Sequence, residues 1–324
     1  MTVATPPPRR TSLRRAAVAV VRWVDSHAGE AQHDAPDAHR IDWLRTLPFV
    51  VLHAACLGVL VTGASAVAVG VAVLLYLVRM FAITGVYHRY FSHRTYRVSR
   101  PVQFLLALLG ASAVQRGPLW WAAHHRRHHR TSDTPEDLHS PVQHGFWWSH
   151  MGWLMTRDAF RTDLREVRDL ARYPELVFLD RFDTLVPAVL AAALFAFGAL
   201  LEHVAPGLGT DAWQMLVWGF FVSTVVLFHA TCSINSLAHV FGTRDYPTGD
   251  DSRNSLPLAL VTLGEGWHNN HHHYPGAARQ GFRWWQVDVT YLLLRALAAV
   301  GVVHDLRPVP PHVVEAGRLR DRAG

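Results

Sequence analysis

Four apolar runs set the outer limits on what this chain can fold into. Residues 47–62 read LPFVVLHAACLGVLVT, and 64–86 follow almost at once as ASAVAVGVAVLLYLVRMFAITGV. Later come 185–201, LVPAVLAAALFAFGALL, and 212–234, AWQMLVWGFFVSTVVLFHATCSI. A membrane-crossing helix needs about 20 largely apolar residues, with a range of roughly 17 to 25. The first run is slightly short and the others fit, so the pattern predicts four spans arranged as two hairpins. The run 102–114, VQFLLALLGASAV, is too short to span comfortably and reads as interfacial or buried.

Charge orients these spans. Every one of the 31 basic residues is arginine, and the net charge is +6. A basic balance alone would admit nucleic acid as a partner, but the apolar runs point to a membrane instead. The turn near Gly63 and the 202–211 connection hold no arginine, whereas residues 87–182 hold fourteen. Arg9, Arg10, Arg14 and Arg15 add to the N-terminal side. Positive residues favour the cytoplasmic side, so both termini and the long 87–182 segment are expected there. Residues 1–42 read as a flexible basic tail without a removed leader, 43–300 as one membrane domain, and 301–324 as a C-terminal tail. Cys56 and Cys232 are too far apart in sequence to form a CxxC metal motif or an iron–sulfur site.

The 22 histidines are the anomaly. Twelve of them cluster beside the predicted cytoplasmic span ends: His88 and His93; His124, His125, His128, His129 and His139; His239; and His268, His271, His272 and His273. On a helix, residues four apart share a face, which pairs His125 with His129 and Asn235 with His239. His128 lies about 100° around from His129, so an HxxHH group can address two centres. His88 and His93 are five apart, about 140° around an ideal helix, so the helix is expected to end or distort between them. Eight or nine imidazoles exceed one ion's coordination number, and imidazole suits iron, zinc, copper and nickel; two metals are expected. His203 and His229, inside apolar runs, read as structural.

These residues resemble the membrane fatty acyl desaturases, most closely the Δ9 stearoyl-CoA type acyl-CoA desaturases. That family carries HxxxxH, HxxHH and HxxHH boxes and an NSxxH motif; the chain has His88/His93, His125/His128/His129, His268/His271/His272 and Asn235/His239, in that order. GFWWSHMGW at 145–153, RNS at 253–255 and GEGWHNNHHHYP at 264–275 extend the match over about residues 45–295. The resemblance implies an all-α integral membrane protein whose cytoplasmic helical cap holds a di-iron site. It assigns the nine box histidines as ligands of two irons, for which zinc can substitute, and Asn235 as the holder of a nearby water. It implies O2 as co-substrate and conversion of a saturated acyl chain to a cis-monounsaturated one. It places Gln115, Trp121 and Thr231 along the bent substrate tunnel.

The animal enzymes have an Arg-Asp pair near the CoA headgroup, just before the second box. Ala123 and His124 stand there, and acyl-lipid desaturases share the same boxes, so acyl-CoA is the carrier expected from the resemblance and a membrane lipid the alternative. No flavin, NAD or cytochrome b5-like segment is present, so the resemblance implies a separate donor: ferredoxin-like, flavoprotein or cytochrome b5-like. Arg89, Arg94, Arg97, Arg126, Arg127 and Arg130 form a candidate patch for steering it. A membrane di-iron hydroxylase and a non-catalytic metal- or haem-binding membrane protein are the competing readings.

Overall fold

A computed structural model describes residues 12–28 and 39–316. Every regular element among them is a helix; extended pairing is limited to isolated bridges such as Arg97–His304 and Asn254–Trp267. A short helix α1 (Ser12–Val21) precedes the first long one, α2 (Trp43–Thr62). Asp42 caps α2 by accepting the Arg45 N–H at 3.2 Å, and Gly63, at φ +67°, ends it. Two residues on, Ser65 caps α3 (Ala66–Ser92) by accepting the Ala68 N–H at 3.1 Å. A positive-φ glycine only one residue short of an N-cap makes a tight reversal, so α2 and α3 form a hairpin.

Helices α4 (Arg100–Ala111), α5 (Pro118–Thr131) and α6 (Pro174–Arg181) follow, then a second hairpin of α7 (Leu185–Val204) and α8 (Ala212–Leu237). These two close tightly because Gly198 faces the start of α8: a Cβ there would lie 2.6 Å from the Asp211 carbonyl oxygen. The two reversals sit side by side. Trp218 donates its indole N–H to Gly63 O at 2.8 Å, and Gln214 donates to Thr62 O at 2.9 Å. The other ends of all four spans therefore gather on the opposite side, where the histidine motifs begin. The short helices α9 (His268–His273) and α10 (Val289–Ala299) complete that cap.

The four long helices are apolar enough to cross a membrane, with mean hydropathies of 1.8 to 2.4 over their best windows. They match the four predicted spans within a few residues at each end, apart from longer cap-side ends on α3 and α8. The first is the most peripheral, with 11 % of its window buried, and the fourth the most central, with 50 %. A central span can offer side chains to a site on every side, and α8 does so. Midway along α3, the buried Arg79 donates to Thr224 at 2.7 Å and also to Ser223 and the Ser112 carbonyl. A guanidinium removed from water needs that satisfaction. Near the first and fourth spans' cap-side halves, His53, His229 and His150 form a hydrogen-bonded row with 3.2 and 3.0 Å steps, ending on Ser236.

The 102–114 run, expected to be too short to span, falls on the short helix α4, which packs on the cap-side end of α3, where Gly110 leaves room for the buried Tyr87 ring. The expected tails change. The segment expected to be a flexible N-terminal tail includes α1, and Ser26 beyond it donates to the carbonyls of Asp180 and Arg181. The C-terminal segment expected to trail away instead pairs His304 with Arg97 and bonds the Arg307 N–H to Thr95 O. Residues 1–11, 29–38 and 317–324, also within the expected tails, lie outside the described residues.

Candidate metal centre

Over Ala82–Ser92 the backbone of α3 widens into a π-helix with all eleven residues buried. Hydrogen bonds there run from residue i+5 back to residue i, and the His93 N–H reaches the His88 carbonyl at 3.2 Å. This is the distortion the five-residue spacing required. It brings the two rings to one side, with centroids 4.9 Å apart.

The cap gathers the imidazoles into two groups. His88, His93, His125, His129 and His271 form one; His128, His239, His268 and His272 form the other. Within each group the candidate ligand atoms all lie within 4.8 Å of one another. The HxxHH boxes split between the groups as helical geometry requires. His125 and His129 share a face of α5 and enter the five-histidine group, while His128 turns to the other. In α9, His268 and His272 share a face and His271 turns the opposite way.

Four carboxylates complete the arrangement. Nδ1 of His128 donates to Asp137 at 3.1 Å, Nδ1 of His239 to Asp133 at 2.7 Å, and Nδ1 of His272 to Asp250 at 2.6 Å. Nδ1 of His88 pairs with Glu265. A neutral imidazole that donates from Nδ1 carries a lone pair on Nε2. Those lone pairs turn inward, and the buried His272 Nε2 has no hydrogen-bond partner. In the five-histidine group His271 Nε2 lies 2.9 Å from both His88 Nε2 and His129 Nε2. Converging acceptors repel unless a cation sits among them, so the donor set fits metal ions held by Nε2. Burial holds His93, His125, His129, His268 and His271 well below the ordinary imidazole range, with neighbouring imidazoles adding to it. His272 is pushed down to about 4 by burial despite Asp250. Unprotonated imidazole is the ligating form.

The histidine turn at 268–273 is held by amides. Asn270 donates to Gln280 O at 2.8 Å and Gln286 Oε1 at 2.9 Å, and it accepts from Asn254 at 2.7 Å. Asn254 lies in the RNS stretch, which gives that segment a physical role. His124 and His273, outside the two groups, lie near the backbone oxygens of Arg161 and Pro247 at 3.1 Å each.

A mainly apolar cavity of about 380 Å³ leads to the centre. Gln115, Trp121, Thr231 and Asn235 all line it, as does His125. Gln115 donates to Thr231 at 3.0 Å across it, and Trp121 stacks on the His125 ring at 5.0 Å. Arg45 and Arg116 flank the Phe160 ring of its lining, and Phe220, Thr224 and Phe228 line it from within the fourth span. A smaller cavity shares Trp121, His125, Thr231 and Asn235 with it and touches His88, His128 and His268. Asn235 thus borders both spaces, between the two histidine groups.

Two parts of the site escaped the sequence. Asp133 and Asp137 follow the second box by four and eight residues and Glu265 stands three residues before His268, but a carboxylate in a loop has no periodicity to mark it. The arginine patch is also corrected. Arg89 is fully buried between Asp288 at 2.9 Å and Glu265 at 3.0 Å, and cannot meet a partner protein. Arg126 and Arg94 pair with Asp169, Arg97 with Asp305, Arg127 with Asp158 and Arg130 with Glu166. Proximity in sequence concealed acids that arrive from elsewhere in the chain.

The chain is similar to known proteins over most of its length. The fatty acid desaturase family model matches residues 64–305. An sn-1 stearoyl-lipid 9-desaturase of Anabaena variabilis is 36% identical over 83% of this chain and 94% of its own. A protein of the same name from Synechocystis is 37% identical over 78% of this chain and 75% of its own. The icosanoyl-CoA 5-desaturase of Limnanthes douglasii is 36% identical over 70% of this chain and 61% of its own. With a helical membrane-type fold, two buried imidazole groups and these relatives, the chain belongs to the fatty acid desaturase family.

Proposed function

We propose that this oxidoreductase uses O2 to introduce a cis double bond at position 9 of a saturated acyl chain attached to a membrane lipid. The observation that carries this reading is the junction of two buried imidazole groups with an apolar cavity lined by Gln115, Trp121, Thr231 and Asn235. Two irons held by His88, His93, His125, His129 and His271, and by His128, His239, His268 and His272, would supply O2 activation and hydrogen removal; zinc can take their place after overexpression. Asn235 would hold a water beside the second group. The protein's own share is shape and dryness. The apolar lining excludes water from the acyl chain, and the Gln115–Thr231 hydrogen bond narrows the cavity beside Trp121 and His125. The chain segment at that constriction is the one presented to the metals, which ties double-bond position to the distance from the carrier.

Lipid is preferred over CoA as carrier because the two stearoyl-lipid relatives match the chain over more of its length. The CoA reading, expected first from the motifs, retains the support of the icosanoyl-CoA relative. We further assign residues 43–300 to the catalytic membrane domain, the termini and centre to the cytoplasmic side of the cell membrane, and reduction to a separate electron-donor protein. Expression in a strain lacking its Δ9 desaturase tests the reading. Gas chromatography of dimethyl disulfide adducts should locate a 9,10 double bond in chains released from membrane lipids. An alcohol product would instead indicate a hydroxylase, and label appearing first in acyl-CoA would reverse the carrier.

A further inference from the structure

The two histidine groups differ in how many of their imidazoles are backed by carboxylates. In the four-histidine group, three of four imidazoles donate to carboxylates: His128 to Asp137, His239 to Asp133 and His272 to Asp250. Among the described residues none of these three carboxylates pairs with an arginine. Asp133 instead accepts from Ser140 and from the Asp251 N–H at 2.8 Å, and Asp250 from the Ser252 N–H at 3.0 Å. The five-histidine group has one such partner, Glu265 on His88; Glu265 also accepts from Arg89 at 3.0 Å, and Arg89 is shared with Asp288 at 2.9 Å. Arg126, whose guanidinium is paired with Asp169 at 2.7 Å, donates to the carbonyls of Phe91 and Ser92 at 2.9 and 3.0 Å and adds no carboxylate to an imidazole there.

Accepting that the nine histidines hold two irons, we infer that the pair is unequal: Asp133, Asp137 and Asp250 make the four-histidine ion the harder one to reduce. Negative charge near an ion favours its higher oxidation state, and a carboxylate accepting from Nδ1 makes Nε2 a stronger donor. Both effects act three times on the four-histidine ion. On the five-histidine ion they act once. Net charge and hydrogen bonding around a metal set its potential in this way. With two irons bound, the first electron from the donor would settle at the five-histidine group, leaving the oxidised ion to be held by His128, His239, His268 and His272. The three aspartates are positioning residues that act through their imidazoles and need touch neither substrate nor metal.

The test is an anaerobic redox titration of detergent-purified, 57Fe-loaded protein followed by Mössbauer spectroscopy, with no turnover required. The expected result is two separate midpoints. Asp133→Asn, Asp137→Asn and Asp250→Asn, each near-isosteric and made singly, should move the lower midpoint upward and leave the higher one in place. Glu265→Gln should move the higher one. Because three aspartates are tested separately, one variant that fails to fold leaves two to read, and the wild-type titration needs none. Two irons that titrate together, or aspartate variants that move the higher midpoint, would overturn the inequality while leaving the ligand assignment intact. A folded protein that takes up no iron would overturn the ligand assignment itself, and this inference with it.

Discussion

At the scale of single residues, the centre depends on imidazoles kept neutral in a buried place. His272 joins two aspects of this, since its Nδ1 is fixed by Asp250 and its Nε2 is bare. Replacing His125, His129, His268 or His272 by alanine should abolish turnover while the protein remains in the membrane, because the spans govern insertion. Activity above about a tenth of wild type, a barrier change under about 1.4 kcal/mol, would contradict a ligand role for that residue. The pH response follows from the same residues. His272 falls from an ordinary 6.5 to about 4, so the folded chain resists a proton that the unfolded chain accepts. Its contribution to stability is complete above pH 6.5 and is lost as pH falls towards 4. Metal competes with the same proton. Metal retention and thermal melting temperature, measured from pH 7.5 downward, should therefore decline together across that window. A melting temperature unchanged between pH 7 and 4.5 would show that these imidazoles are not buried neutral.

At the scale of elements, the π-helical end of α3 is the piece on which the others register. It is wholly buried, and it carries His88 and Arg89 inward on successive residues. Helix α4 backs it through Gly110, whose missing side chain is the space filled by the Tyr87 ring. Gly110→Ala should therefore push on the residue next to His88. Overpacking of this kind costs about 1–3 kcal/mol. We expect a lower melting temperature and reduced iron occupancy together, both measured on detergent-purified protein. Gly70→Ala in the same α3 helix, where a Cβ meets nothing within 4 Å, should leave both unchanged and serves as the control. Loss of stability with full iron occupancy would separate the packing of α4 from the geometry of the centre.

At the scale of the whole molecule, an even number of spans and two reversals on one side place both ends of the membrane domain with the cap. Alkaline phosphatase inserted at Gly63 or Gly209, both exposed left-handed turns, should be active outside the cell, and a green fluorescent protein at the C-terminus should fluoresce inside. The reverse pattern would place the metal centre on the outer face. The arginines that suggest this orientation are poor candidates for a docking patch. Those near the second box end in ion pairs with Asp158, Glu166 and Asp169, so little net positive charge remains there to steer an acidic donor.

The sequence by itself determined the four spans, their pairing into hairpins and the division of each HxxHH box between two faces. All of these are periodicities or lengths along one chain, and hydrocarbon thickness and 3.6 residues per turn convert them directly into structure. It also marked the fault between His88 and His93, because five residues do not fit an α-helical face. Only the tertiary structure decided which imidazoles share a group, since His271 meets His88 across 183 positions and His239 meets His268 across 29. The carboxylates behind the imidazoles and the acids that neutralise the arginines were decided there too. They come from loops or distant segments, and a charge without periodicity acquires its partner only when the chain is folded around it.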